Sequence, residues 1–86
     1  MKTKGKSLAE NIADDIVARI TIDKKYSAGD KLPNENELSA DLKVSRTTLR
    51  EAIRILVAHS ILEIRRGKGT YVKDNQAMDR GIDLNT

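Results

Sequence analysis

Leu8, Ile12, Ile16 and Ile20 recur at every fourth position, with Ala9, Ala13 and Val17 beside them. That stripe predicts an amphipathic helix with one buried face. Ser7 with Glu10 three residues on is a capping-box pattern, so the helix opens at Ser7; it fades near Asp23-Lys24-Lys25. Gly29-Asp30 and the single proline, Pro33, then mark a turn that leaves room for a short extended stretch around Lys31-Leu32. Asn34 followed by Glu37 is a second cap signature, and Glu35 and Glu37 suit the positive end of a helix dipole, which predicts a short helix from Glu35 to Leu42. Ser45 is a third N-cap candidate. After it Leu49, Ala52, Ile53, Leu56 and Val57 fall at i, i+3, i+4, i+7 and i+8, while Arg46, Thr47, Arg50 and Arg54 share the opposite face.

Beyond His59-Ser60 the period changes to two. Leu62 and Ile64 alternate with Glu63 and Arg65, Gly67-Lys68-Gly69 supplies a tight loop, and Thr70-Tyr71-Val72 is suited to a return strand. Ile61–Lys73 is therefore expected to be a β-hairpin with a basic tip, too small to be stable unless it packs on the helices. Helix, turn, helix, helix, hairpin is a mainly α chain with a small β-hairpin. It predicts a winged helix-turn-helix, a three-helix core plus a two-stranded wing whose tip is Arg65–Lys68. Residues 1–74 form this domain; residues 75–86 show no period and are expected to be a linker or the start of a further C-terminal domain.

Composition narrows the chemistry. At 86 residues there is room for one core. Cysteine is absent, which excludes disulfides, thiolate metal sites and thiol nucleophiles, and the single histidine, His59, has no partner for a metal site or a His-assisted base. No metal ligand set, cofactor motif or catalytic group is expected. Gly67-Lys68-Gly69 is not a Walker loop, because the Gly-x-x-x-x-Gly-Lys-Ser/Thr spacing is missing. No run of ~18 apolar residues is present to span a bilayer. The basic N-terminus is followed by no apolar segment of a secretory signal, so the expected compartment is the cytoplasm, with no membrane partner.

Charge is segregated. Residues 1–42 carry net −1, residues 43–73 net +6, and residues 74–86 net −2. A basic block of this kind points to a polyanion, most often nucleic acid. A helix lying in the major groove reads bases with side chains of its first turns, where Ser45, Arg46, Thr47, Thr48 and Arg50 stand. Arginine can bond guanine O6 and N7 together, threonine offers a hydroxyl and a methyl, and the helix N-terminus attracts phosphate. At the hairpin tip Arg66 and Lys68 bring charge, and Gly67 and Gly69 let the backbone approach a duplex.

Three blocks also carry a family resemblance. Gly29-Asp30-Lys31-Leu32-Pro33-Asn34-Glu35-Asn36-Glu37-Leu38, Val44-Ser45-Arg46-Thr47-Thr48-Leu49-Arg50-Glu51-Ala52 and Arg66-Gly67-Lys68-Gly69-Thr70-Tyr71-Val72 closely resemble the DNA-binding domain of the GntR family of bacterial transcriptional regulators. The resemblance covers roughly residues 8 to 73, with the blocks in family order and spacing. It implies a double-stranded operator as partner, with the third helix in the major groove and Arg66, Gly67, Lys68 and Gly69 in the minor groove. It also implies a C-terminal domain, absent here, that binds a small-molecule effector and drives homodimerisation. The intact protein would then be an effector-responsive repressor or activator, and this fragment a monomer. Asp79–Thr86 resembles the linker entering a helical effector domain of the FadR-like subgroup. Three positions depart from the family pattern: Asn36, a DNA-binding candidate that can still donate one hydrogen bond but brings no charge, stands where an arginine usually contacts the DNA backbone, and Lys43 and Ser60 stand where glycines are usual. A left-handed Lys43 would cost on the order of 1 kcal/mol.

Other readings are weaker. A winged-helix module for protein–protein contacts would need an apolar exposed face on the third helix, but Arg46, Thr47, Arg50 and Arg54 make that face polar. RNA recognition would need stacking aromatics, and only Tyr26 and Tyr71 are available. An enzyme is weakest, since Glu35 and Glu37 already have a capping role and no nucleophile accompanies them.

Overall fold

A computed structural model describes residues 6–73. Helix α1 spans Leu8–Thr21, α2 Glu35–Leu42 and α3 Arg46–Ala58; strands β1, Leu62–Arg65, and β2, Gly69–Val72, pair antiparallel with Leu62 opposite Val72 and Arg65 opposite Gly69. This is the expected three-helix core with a two-stranded wing. All three caps form as the sequence predicts. Ser7 Oγ accepts from the Glu10 N–H while Glu10 reaches back to the Ser7 N–H, Asn34 Oδ1 accepts from Glu37, and Ser45 Oγ accepts from Thr48. Each satisfies backbone donors that a helix start leaves without partners.

The core joins all elements: Ile12 and Ile16 of α1, Leu38 of α2, Leu49, Ala52, Ile53 and Leu56 of α3, and Leu62 and Val72 of the hairpin. Tyr26 and Leu32 close it from the connection between α1 and α2. The extended stretch expected there exists. Lys31 pairs with Tyr71, and the Leu32 N–H donates to the Thr70 carbonyl at 2.8 Å, so the α1–α2 connection is laid along the free edge of β2.

Two apolar residues leave the pattern. Leu8 is exposed, and the buried line on α1 runs instead through Ala9, Ile12, Ala13 and Ile16. A spacing of four advances about 40° per step around a helix of 3.6 residues per turn, so the first residue of a long i+4 stripe rotates off the contact face. Ile64 shares the Leu62 face of β1 yet is exposed, because the hairpin runs past the edge of the core.

Lys43 ends α2 at φ 60°, ψ 45°, and Ser60 precedes β1 at φ 62°. Both are in the left-handed region, where a Cβ crowds the following carbonyl oxygen. We expect Lys43→Gly to stabilise the domain by about 1 kcal/mol in urea unfolding. Lys43→Ala removes the same charge but keeps the crowding, so a gain of equal size in that variant would assign the effect to charge.

Candidate nucleic-acid interface

The first turn of α3 stands at the surface. Arg46, Thr47 and Arg50 are exposed, with Arg54 further along the same face, whereas Leu49, Ala52, Ile53 and Leu56 fill the buried side. Ser45 is exposed and Thr48 half-buried, and both are partly committed to the helix start: Ser45 Oγ takes the Thr48 N–H and donates to Thr48 Oγ1 at 3.1 Å. The Thr47 side chain is exposed, so its hydroxyl and methyl are both open to a ligand.

The two arginines are held by neighbouring residues of α2. The Arg46 Nη1 donates to Asn36 Oδ1 at 3.0 Å. Arg50 Nε and Nη2 grip the two Glu35 oxygens at 2.6 and 3.0 Å, a parallel fork. That fork holds the Glu35 carboxyl below its ordinary range, helped by the Arg46 charge, and raises Arg50. The pair lies in water, with side chains 56% and 40% exposed, so it matters less for stability than for where it puts the guanidinium. Chemically, Arg50 keeps its end-on edge, Nη1 and the outer Nη2 proton, for a second acceptor. Arg46 keeps its Nε–Nη2 edge, the geometry that meets guanine O6 and N7.

At the wing, Lys68 N–H bonds the Arg65 carbonyl at 2.9 Å across a turn with Gly67 at φ 73° in its third position, which a side chain tolerates poorly. Arg66, Gly67 and Lys68 are exposed at the tip. Arg65, placed by the sequence in the tip, belongs to β1 and is turned back: its Nε meets Glu63 at 2.6 Å and its guanidinium lies 4.2 Å from the Tyr71 ring centre. The charge the wing presents is therefore Arg66 and Lys68. Gly69 is half-buried at φ 126°, and a Cβ there would come 2.8 Å from Lys31 Cε, so the lysine stem lies across the glycine backbone. Lys31 was missed by sequence reasoning; its pairing with Tyr71 across 40 residues leaves no local signal.

Between the wing and the start of α2 lies an open cleft of about 510 Å³, floored by Leu38, Leu49 and Ile53 and flanked by Lys31, Glu35, Ile64, Arg66 and Lys68. The structure thus brings the wing residues Arg66, Gly67, Lys68 and Gly69 to one side of this cleft, while Arg46, Thr47, Thr48 and Arg50 lie outside its lining. The aromatics do not form a stacking platform. Tyr26 is buried in the core and Tyr71 is half-buried under Arg65.

Residues 8–72 match the model of the bacterial regulatory proteins of the gntR family. The chain belongs to the GntR family. Its matched segment is the winged helix-turn-helix DNA-binding domain of a GntR-family transcriptional regulator. It is 44% identical over 71 residues to the mannosyl-D-glycerate transport/metabolism system repressor MngR of Escherichia coli, spanning 83% of this chain and 29% of that protein. Streptococcus agalactiae GntR superposes with a TM-score of 0.71 at 45% identity over 80% of this chain and 33% of that one. The N-terminal domain of AraR, solved in complex with mutant ORR3, gives a TM-score of 0.71 at 33% identity, with 81% of this chain covering 99% of that one. This GntR-family chain spans about a quarter of the length of the curated relatives it matches. Those relatives are transcription regulators, and no enzyme family is indicated. No helix among the described residues is long and apolar enough to cross a membrane.

Proposed function

We propose that this domain reads a double-stranded operator with the first turns of α3 in the major groove and the wing tip in the minor groove. The carrying observation is the exposed first turn of α3, where Arg46 and Arg50 each keep a free donor edge beside the open Thr47. Arg46, Thr47 and Arg50 supply base contacts. Ser45, Thr48 and the capped helix start supply phosphate contacts, and so does Asn36 through its amide protons. Arg66, Gly67, Lys68 and Gly69 form the wing contact, and Lys31, stretched along Gly69, adds a cation beside it. Affinity then comes mainly from phosphate neutralisation and specificity from α3.

With roughly four to six phosphates neutralised, log K against log salt falls with a slope of about −4 to −5. The test is selection of the 86-residue chain on a random duplex pool at two salt concentrations. A short enriched motif supports major-groove reading; salt-sensitive binding without a motif, or no binding at low salt, would overturn it, the latter favouring a protein-contact role. Lys68→Ala is expected to make the slope shallower by about one unit. An unchanged slope would remove the wing from the interface.

For the intact protein the reading is an operon regulator active in the cytoplasm. It would be a homodimer on paired half-sites, joined through a C-terminal domain that binds a small-molecule effector. Residues 1–74 are the DNA-binding part and residues 75–86 the linker toward that domain or its start; the resemblance of Asp79–Thr86, which lie outside the described residues, to the linker of the FadR-like subgroup supports a C-terminal domain of that kind. The relative named as a repressor and the AraR N-terminal domain, which this chain nearly covers, both support a regulatory protein with a separable DNA-binding part.

A further inference from the structure

We propose that Asn36, on α2, is a specificity-determining residue that acts by positioning Arg46 on α3. The inference rests on the DNA-binding reading above and adds to it a determinant outside the recognition helix. An arginine on an exposed helix turn has many rotamers, and a base contact must fix one of them. Here the fixing is done before any ligand arrives. The Arg46 guanidinium has only donors, so the Asn36 amide must turn its oxygen toward Nη1, as it does at 3.0 Å. One anchored nitrogen restricts the rotation of the planar group and leaves the Nε–Nη2 edge unused, an edge with two parallel donors for a base.

The neighbouring residue repeats the device. Glu35 anchors Arg50, one helical turn along α3, through the opposite choice of edge. Two consecutive residues of α2 thus grip two arginines spaced i, i+4 on α3. Both grips lie at the solvent face, where exposed polar contacts contribute little to folding, so orientation is the effect that remains. The α2 N-cap ties the device to the backbone: Asn34 holds the Glu37 N–H, and the Ser39 hydroxyl, buried beneath, donates to the Asn36 carbonyl at 3.3 Å. Asn36 is therefore carried on a fixed turn. Its two amide protons remain for a phosphate, but its oxygen belongs to Arg46.

The experiment compares the full chain with Asn36→Ala, Asn36→Asp, Arg46→Ala and the Asn36→Ala/Arg46→Ala double variant, each selected on the same random duplex pool. Arg46→Ala defines the base position that Arg46 reads. Asn36→Ala is expected to lose discrimination at that position by about fivefold beyond the smaller, equal loss on both duplexes from its phosphate contact, with no further loss of discrimination in the double variant. Asn36→Asp retains the acceptor and should retain the preference. In the free protein, side-chain NMR should show faster guanidinium rotation of Arg46 in Asn36→Ala and not in Asn36→Asp. Full discrimination in Asn36→Ala, or a loss that is equal on selected and random duplex, would overturn the proposal, the latter leaving Asn36 as a phosphate contact alone. If the unmodified chain selects no motif, the DNA-reading proposal falls and this one with it. Unchanged Arg46 rotation alongside a clear wild-type motif overturns the positioning role alone.

Discussion

Leu49→Ala is expected to cost about 2–5 kcal/mol of stability, measured as the shift in urea unfolding. Leu49 is fully buried, sits on the inner face of α3 and forms part of the floor between the helices and the wing. Removing its branched end leaves a void bounded by residues of several elements, which cannot all close in at once. A domain of this size has only several kcal/mol of total stability, so the variant should be largely unfolded near physiological temperature. Arg54→Ala, an exposed change on the same helix, should stay within about 0.5 kcal/mol of the parent. A Leu49→Ala cost below about 1 kcal/mol would show that the core does not meet at α3.

Arg46→Ala is expected to lower affinity for the selected duplex by about 1–3 kcal/mol, the range for one bidentate base contact, with little change on random duplex. Titration of both duplexes at one salt concentration separates the two. An equal loss on both would assign Arg46 to phosphate. The unfolding midpoint should hardly move, because Arg46 is exposed and its hydrogen-bond partner is another exposed side chain. The two variants thus divide α3 between its faces. Leu49 holds the helix on the core, and Arg46 works on what the helix presents.

Some of this was legible along the chain because its signals are local. Each helix start is written within four residues, as in Ser7 with Glu10, Asn34 with Glu37 and Ser45 with Thr48. The apolar stripe of α3 matches its buried face, since Leu49, Ala52, Ile53 and Leu56 are close enough in sequence for helical drift to stay small. Over the longer stripe of α1 the drift carried Leu8 out of the core. Alternation on β1 gave the correct face for Ile64 but not its burial, because burial depends on how far the hairpin projects. At Lys43 it is the family resemblance that marks the strain, a side chain where glycine is usual, and the backbone adopts the left-handed conformation there.

By itself, then, the sequence determined the order and type of the elements, their starts, and which face of α3 is apolar and which basic. These follow from backbone hydrogen bonding and residue periodicity within one or two turns. Only the tertiary structure decided which charged groups are available. It set Asn36 against Arg46 across ten residues and Glu35 against Arg50 across fifteen, drew Arg65 back onto Glu63 and Tyr71, and laid Lys31 across Gly69. Such contacts depend on how α2 crosses α3 and where the α1–α2 connection meets the wing. That placement is settled by the shared core, whose members are scattered from Ile12 to Val72, and no short window of sequence contains it.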